Sequence, residues 1–283
     1  MIEQNKGISS GFADLDKLTY GSSIRDMEDE IIEDILRKKE LNKQGIIGIP
    51  SGFEELDKII HGWLPGNELV TIVSANKDNN SWLLQKFLTE ANKQGKKVLL
   101  YTREKALLSA YRNDILSGNF NNINEPDLPE YTVIASKDLQ GRHLTVSELR
   151  HYIQVHKPDI VGIHDLSIMR DEEEGNNAQE QYNNISNNLL GLSGLLEIPI
   201  LVTMQDNIGD DKLEHIELDD LGISYEPTGY SSRVITIATN DKEAKMKLIK
   251  NRFGPTKWEY NISLNESNEI LDLINKFNAM KNK

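Results

Sequence analysis

The segment SANKDNNSW, residues 74–82, lies where a phosphate-binding turn is expected but departs from the usual pattern. It follows the apolar run ELVTIVSA, and ligands of parallel sheets bind beyond the carboxyl ends of such strands. The motif GxxxxGK[ST] needs glycines for close backbone approach, a lysine for the β- and γ-phosphates and a hydroxyl for Mg²⁺. Ser81 keeps the hydroxyl, whereas Asn79 stands at the glycine position and Asn80 at the lysine position.

Lys77 lies three residues before the lysine position and is the candidate to replace it. The alternative interpretation is a solvated turn lysine, which the strict geometry of the motif favours. No GK[ST] occurs anywhere in the sequence. We therefore expect no cofactor, with ATP and Mg²⁺ as the cofactors only if this loop still functions.

Charged residues are distributed unevenly. The sequence has 32 Lys and Arg against 45 Asp and Glu, a formal charge of −13, which disfavours a protein that binds nucleic acid through bulk positive charge. Four acids are adjacent at 171–174, and seven acids against Lys212 occupy 206–220. Such runs are usually solvated loops, and adjacent carboxylates repel a phosphate backbone.

The absence of certain residue patterns excludes several classes. No cysteine is present, so a disulfide scaffold, a Cys-ligated metal and a thiol nucleophile are excluded. The N-terminal residues lack an apolar signal region, and no apolar run approaches 18 residues. We therefore expect a cytoplasmic, soluble protein without a membrane span.

Apolar runs and helical periodicity alternate from residue 66 onward. Strands are predicted at 68–75, 97–102, 131–135, 159–166, 198–204, 233–238, 244–250 and 258–264, and helices at 81–94, 105–117, 145–156 and 179–196. Strand and helix in alternation predict an α/β fold with a mainly parallel sheet. The last three strands lack intervening helices and are expected to form an antiparallel extension.

A local motif occurs twice near the N-terminus. GISSGFADLDKLTYG (7–21) and GIPSGFEELDKIIHG (48–62) share nine of fifteen positions at an offset of 41. Ser10 or Ser51 is expected to cap a short helix, and Gly21 or Gly62 to end it. The intervening segment 22–43 has an apolar stripe at helical spacing and is predicted to be an amphipathic helix that packs on another surface.

The order of these motifs resembles the RecA-like motor domains of DnaB-type replicative helicases, including those of large tailed bacteriophages. GIPSGFEELDKIIHGWLPGNELVTIVSA looks like the segment that leads to the phosphate loop in that family. VLLYTREKA resembles the strand that ends in a catalytic glutamate, and KPDIVGIHDLSIM the Walker B strand. LEIPILVTMQ resembles the sensor strand, and MKLIKNRFGP the strand with a Lys-x-Arg finger.

The resemblance implies roles for individual residues. Glu104 matches the glutamate that polarises water and Gln205 the sensor, while Lys250 and Arg252 match the finger that enters a neighbouring subunit. Glu104 can also be an exposed strand-end residue, and Lys250 and Arg252 can belong to a solvated edge strand beside Lys245 and Lys247.

The Walker B position is the second departure from the family. His164 falls at the position of the metal-binding aspartate, and Asp165 follows it. Neighbours on a strand face opposite sides, so Asp165 replaces that aspartate only if the strand bulges. His164 can instead be a core histidine, and no metal site is expected there.

These departures lead to the functional hypothesis of a DnaB-like homologue without catalysis, that is, a pseudo-ATPase. It would act in DNA replication as an adaptor, binding a replicative helicase or itself through helix 22–43, with weak or no DNA binding. The alternatives are an ATP-dependent DNA helicase with an unorthodox phosphate loop and a structural ring or filament. The predicted domains are an arm and docking helix (1–46), a RecA-like domain (47–275) and a flexible tail (276–283). The resemblance implies a bacterial or phage-infected bacterial cell.

Overall fold

The computed structural model describes residues 45–103, 129–206, 217–239, 244–256 and 258–262. Contacts divide the chain into the units 1–45 and 46–283, and all described residues except Gly45 belong to the second. Five predictions lie outside the described residues: the first motif copy, the amphipathic helix 22–43, the helix 105–117, Glu104 and the tail 276–283. The predicted domain bounds stay a prediction.

The described part of the chain contains one sheet and helices on both of its faces. The strands are β1 (Leu69–Ser74), β2 (Val98–Thr102), β3 (Tyr131–Ala135), β4 (Ile160–His164), β5 (Ile200–Gln205), β6 (Arg233–Thr239), β7 (Ala244–Asn251) and β8 (Trp258–Ile262). The helices are α1 (Glu54–Ile60), α2 (Lys77–Lys93), α3 (Val146–His156), α4 (Ala178–Leu196) and α5 (Tyr225–Gly229). Short 3₁₀ helices cover Ser136–Leu139, Leu166–Ile168 and Leu218–Asp220. No helix among these described segments is long and apolar enough to span a bilayer.

The strand order is β3-β2-β4-β5-β1-β6-β7-β8. Strands β1 to β6 pair in parallel, and β7 and β8 continue the sheet in antiparallel fashion after β6. The predicted α/β class and antiparallel extension are confirmed. The carboxyl ends of β1, β4 and β5 are adjacent at the edge where the sequence predicts chemistry.

The central strands are apolar on both faces because helices cover both sides of the sheet. Val70 and Ile72 of β1 belong to the same core cluster as Phe87 of α2. On the opposite face, Leu149 of α3 and Leu189 of α4 lie in a second cluster with residues of β2, β4 and β5. Two buried faces explain why β2 and β4 are continuous apolar runs rather than alternating ones.

The GIPSGF segment (48–63) is held by close backbone contacts. Ile49 and Trp63 form an antiparallel bridge, and a Cβ on Gly48 would lie 2.2 Å from the Trp63 carbonyl oxygen. Gly62 has a φ of +78°, and a Cβ there would lie 2.8 Å from the Gly48 backbone. Only glycine fits both positions, which explains why glycine occupies them.

The polar residues of this segment bond to each other. The Ser51 amide donates to Asp57 Oδ1 at 2.9 Å, and the Phe53 amide donates to Ser51 Oγ at 3.2 Å. Burial raises the pKa of Asp57 above its ordinary value, although hydrogen bonds from Ser51 oppose this shift. The prediction that Ser51 caps the helix is wrong, because α1 begins at Glu54 and its N-cap is Phe53. The helix ends at Ile60, with His61 in the left-handed conformation, rather than at Gly62.

A buried ion pair joins the GIPSGF segment to the sheet. Glu68 precedes β1 and pairs with Arg233 at the start of β6, and both side chains are fully buried. Arg233 also donates to the Ile60 carbonyl at 3.0 Å and to Asn251 Oδ1 at 3.3 Å. The Leu64 amide donates to Glu68 Oε2 at 3.3 Å. Burial lowers the pKa of Arg233 to about 10, which still leaves it charged at neutral pH.

Removing one partner of this pair is expected to destabilise the fold strongly. Arg233→Met leaves the Glu68 carboxylate buried without its cation and should lower the free energy of unfolding by about 3–5 kcal/mol. The double variant Glu68→Leu/Arg233→Met should be more stable than Arg233→Met, because neither charge remains buried. Urea denaturation at neutral pH measures both.

The exposed pair of Lys58 with Glu54 provides the control. Its side chains are more than half exposed, so Lys58→Ala should leave the urea midpoint unchanged. Equal stability of Arg233→Met and the wild type would contradict a central role for the buried pair.

Candidate functional site

The turn after β1 is shorter than the sequence predicts. Strand β1 ends at Ser74 and helix α2 begins at Lys77, so Ala75 and Asn76 alone connect them. The helix predicted from residue 81 therefore starts four residues earlier. Asn80 lies inside this helix, and its amide donates to the Asn76 carbonyl at 3.4 Å.

The side chains at positions 79–81 are each 1% exposed. Asn80 Nδ2 donates to the Met204 carbonyl of β5 at 2.8 Å, and Asn79 Nδ2 donates to Ser74 Oγ at 3.4 Å. Ser81 Oγ donates to the Lys77 carbonyl at 2.9 Å. The residues at the glycine, lysine and hydroxyl positions of the motif thus bond to protein atoms.

His164 lies directly beside the hydroxyl position. Its Nε2 is 2.6 Å from Ser81 Oγ, and its side chain is buried at the end of β4. Among the residues that the structure describes, no group of three or more His, Asp or Glu side chains is arranged to hold a metal ion.

Asp165 has left the strand. Strand β4, predicted to reach residue 166, ends at His164, and Asp165 caps the 3₁₀ helix that follows. Its Oδ1 accepts hydrogen bonds from the Ser167 amide at 2.8 Å and from the Ser167 hydroxyl. The strand rule that separated Asp165 from the His164 side therefore does not apply, because Asp165 is not a strand residue.

Lys77 and Asp165 line one cavity of about 300 Å³ at the carboxyl edge of the sheet. Gln205 lies on its wall and donates from Nε2 to the Ala75 carbonyl at 3.0 Å. Ser167 and Tyr182 complete its polar lining, and Leu166, Met204 and Ile223 supply apolar surface. Burial raises the pKa of Tyr182, and the carboxylate of Asp165 adds to the shift. The structure thus brings together Lys77, Asp165 and Gln205 and keeps Asn80 away from them.

Sequence reasoning missed Ser167 and Tyr182. The spacing Asp165-x-Ser167 was a usable signal, because a carboxylate often accepts from the amide two residues on. Tyr182 comes from helix α4, and no local pattern places it beside β1 and β5.

The predicted finger residues differ in their surroundings. Lys250 Nζ donates to the Thr228 carbonyl at 2.8 Å and the Gly229 carbonyl at 2.7 Å, at the end of α5. Burial lowers the pKa of Lys250, and the nearby Arg252 adds to the shift. Arg252 is exposed at the turn after β7, next to the 46% exposed Phe253. Lys250 is thus bound to its own domain, whereas Arg252 is available to another surface.

The acidic loop 171–174 is hydrogen-bonded to two helices. Glu172 Oε2 accepts from the Ser147 amide at 3.2 Å, near the N-terminus of α3. Asn188 of α4 donates to Glu173 Oε1 at 3.0 Å. Carboxylates near helix N-termini also interact favourably with the helix dipole. The expectation of a merely solvated loop is therefore wrong for Glu172 and Glu173.

Asp171 closes this loop. It accepts from the Gly175 amide at 2.8 Å, the Glu173 amide at 3.0 Å and Asn184 Nδ2 at 2.9 Å. Burial by itself would raise the pKa of Asp171, but these hydrogen bonds outweigh it and hold the pKa below its ordinary value.

Asp206 also has a structural position. It is buried, its amide donates to the Ser74 carbonyl at 3.1 Å, and it accepts from the Ser224 amide at 3.1 Å and the Ser224 hydroxyl. Counting Asp206 among solvated acids was therefore wrong. The side chain fixes the start of the segment that follows β5.

Three solved structures share this fold. The ATPase domain of a phage protein has a TM-score of 0.68 and 16% identity, covering 87% of this chain and 97% of that chain. A DnaB-like replicative helicase, whose structure was determined with its interactions with primase, has a TM-score of 0.65 and 16% identity, covering 86% and 65%. The RadB recombinase has a TM-score of 0.54 and 15% identity, covering 77% and 96%. The present chain thus spans 65% of the length of that DnaB-like helicase.

These similarities concern the fold. No protein-family model and no curated protein sequence matches the chain. The chain has a RecA-like fold of the kind found in DnaB-type motor domains, as the sequence resemblance predicted.

The hydrogen bonds of Asp171 lead to a pH-dependent prediction. A carboxyl group whose folded-state pKa is lowered contributes stability above its unfolded pKa and loses it as pH falls through the folded value. Asp171→Asn should therefore destabilise the protein at pH 7, and the difference from wild type should shrink as pH falls below the ordinary aspartate range. Urea denaturation at several pH values measures it, with the exposed Asp219→Asn compared in parallel. A pH-independent difference would contradict a role for the Asp171 charge.

Proposed function

We propose that this protein acts in DNA replication as an adaptor or regulator of a replicative helicase and does not itself hydrolyse ATP. It would bind the helicase or assemble with copies of itself, in the cytoplasm of a bacterial or phage-infected bacterial cell. The observation that carries the proposal is the placement of Asn79, Asn80 and Ser81. In a fold shared with DnaB-like helicases, these side chains are buried and bonded to protein atoms.

Loss of hydrolysis follows from the chemistry of phosphoryl transfer. The reaction depends on positioning and on charge neutralisation by a lysine, a metal ion and its ligands. Asn80 carries no charge and bonds to Met204, while His164 stands at the position of the metal-binding aspartate. Both replacements remove positive charge, or the means to hold it, from the place where phosphate charge would develop.

Weak DNA binding is consistent with the acidic loop. Single-stranded nucleic acid is gripped by positively charged grooves and stacking side chains. Residues 171–174 carry four carboxylates, and hydrogen bonds hold three of them against the protein. A loop of this charge and attachment is poorly suited to follow a phosphate backbone.

Contact with a helicase would use two parts of the chain. The amphipathic segment 22–43 is one, because its apolar stripe needs a surface to cover it. Arg252 is the other, since it is exposed and lies beside the exposed Phe253. A second motor-fold subunit is the partner that we propose for both.

Adding the protein to the replicative helicase of the same genome should change the ATPase rate of that helicase. Arg252→Ala should remove most of the change, because a guanidinium is the group that stabilises phosphoryl-transfer charge from a neighbouring subunit. Lys157→Ala is the control, since Lys157 is an exposed residue at the C-cap of α3. An unchanged ATPase rate at stoichiometric excess would reject the adaptor role.

The cavity that contains Lys77, Asp165 and Gln205 favours a second candidate function. In it, the protein is an ATP-dependent DNA helicase in which Lys77 and Asp165 replace the phosphate-loop lysine and the metal-binding aspartate. The same groups sit beside the carboxyl ends of β1, β4 and β5.

This second candidate predicts that the wild type binds nucleotide with micromolar affinity and that Lys77→Ala abolishes the binding. Isothermal titration with Mg²⁺ and a non-hydrolysable ATP analogue measures it. Lys97→Ala, which changes an exposed lysine just before β2, is the control. No heat of binding for the wild type would reject this candidate in favour of the first.

A further inference from the structure

We infer that His164 and Asn80 take the place of a metal-bound nucleotide by tying α2 directly to strands β4 and β5. The site is then complete without a ligand, and the fold does not depend on nucleotide. This inference rests on the proposed function, since an adaptor of this fold must be stable without ATP.

The first tie comes from Asn80. It is 1% exposed, and its Nδ2 donates to the Met204 carbonyl at the end of β5. A lysine at this position would have to reach out of the helix toward phosphate, whereas the short amide lies back on the sheet. The Asn80 backbone amide is also engaged, because it donates to the Asn76 carbonyl within the first turn of α2.

The second tie comes from His164. Its Nε2 lies 2.6 Å from Ser81 Oγ, which also bonds to the Lys77 carbonyl at 2.9 Å. A hydroxyl has one hydrogen, so when it is donated to Lys77, the protonated Nε2 of His164 donates to Oγ. The Ser81 oxygen is then engaged by the protein in both senses.

The fold family implies Mg²⁺ and a nucleotide at this point, and the residues present do not fit them. Magnesium prefers hard oxygen ligands in octahedral geometry, and His164 offers an imidazole instead of a carboxylate. A phosphate cradle needs free backbone amides in an open loop, but two residues connect β1 to α2. Burial of Asn79, Asn80 and Ser81 leaves no space for phosphate oxygens among them.

A site completed by protein groups has a thermodynamic signature. Ligands that bind only the folded state raise the unfolding midpoint. The midpoint of this protein should therefore not change with Mg²⁺ and ATP, and it should depend instead on His164 and Asn80.

The experiment compares thermal unfolding of the full chain with and without saturating Mg²⁺ and ATP, together with binding of a fluorescent ATP analogue. The wild type should show no shift and no binding. His164→Ala should lower the midpoint by about 5 °C or more. His164→Gln, whose amide nitrogen can occupy the place of Nε2, should restore part of that loss.

A restoring variant tests whether these positions close the site. Asn79→Gly/Asn80→Lys/His164→Asp should gain Mg²⁺-dependent binding of the analogue and a rise in midpoint with ATP. The matched control is Asn92→Lys/His151→Asp, since Asn92 is equally buried in the same helix and is hydrogen-bonded outside the site. The control should gain no binding.

Two results would overturn the inference. One is a rise in the wild-type midpoint with Mg²⁺ and ATP, and the other is equal midpoints for His164→Ala and wild type. If the restoring variant does not fold, the Ala and Gln variants of His164 still decide. A helicase that does not respond to the protein rejects the proposed function alone and leaves these measurements as they stand.

Discussion

The buried ion pair between Glu68 and Arg233 fixes the position of everything at the carboxyl edge of the sheet. It sets β1 beside β6, and through the Ile60 carbonyl it holds the GIPSGF segment against both. Burying two charges is costly, and the cost is offset here because Arg233 also bonds to Asn251 and Glu68 to the Leu64 amide. The start of β1 is thereby anchored, so the turn at its other end has a defined place relative to β4 and β5.

At that other end, small polar side chains take the role that a ligand has in many sheets of this class. Asn80 reaches β5 and His164 reaches α2, so three neighbouring elements are joined by uncharged groups. The charged residues lie just outside, where Lys77, Asp165 and Gln205 line an open cavity. The separation between a closed polar core and a charged rim is what distinguishes the two candidate functions in physical terms.

The sequence was informative wherever burial is continuous. Strands such as β2 and β4 are apolar on both faces, so their parallel arrangement could be predicted from runs of residues alone. The start of α2 could not, because Lys77 to Asn80 are poor helix formers and tertiary hydrogen bonds determine their conformation. Proximity of Lys77 to Asp165 was foreseeable from the edge shared by β1 and β4. The contribution of Tyr182 was not, since it depends on how α4 lies across the sheet.

Asp206 and Ser224 bring the two ends of one chain segment within hydrogen-bonding distance at the edge of the sheet. The entropy of closing a loop grows slowly with its length, at about 0.6 kcal/mol for each doubling. With its ends held by this pair, the intervening segment can change in length and sequence at little cost to the sheet. The same scaffold can therefore acquire new binding specificities through this segment while β1, β5 and β6 stay as they are.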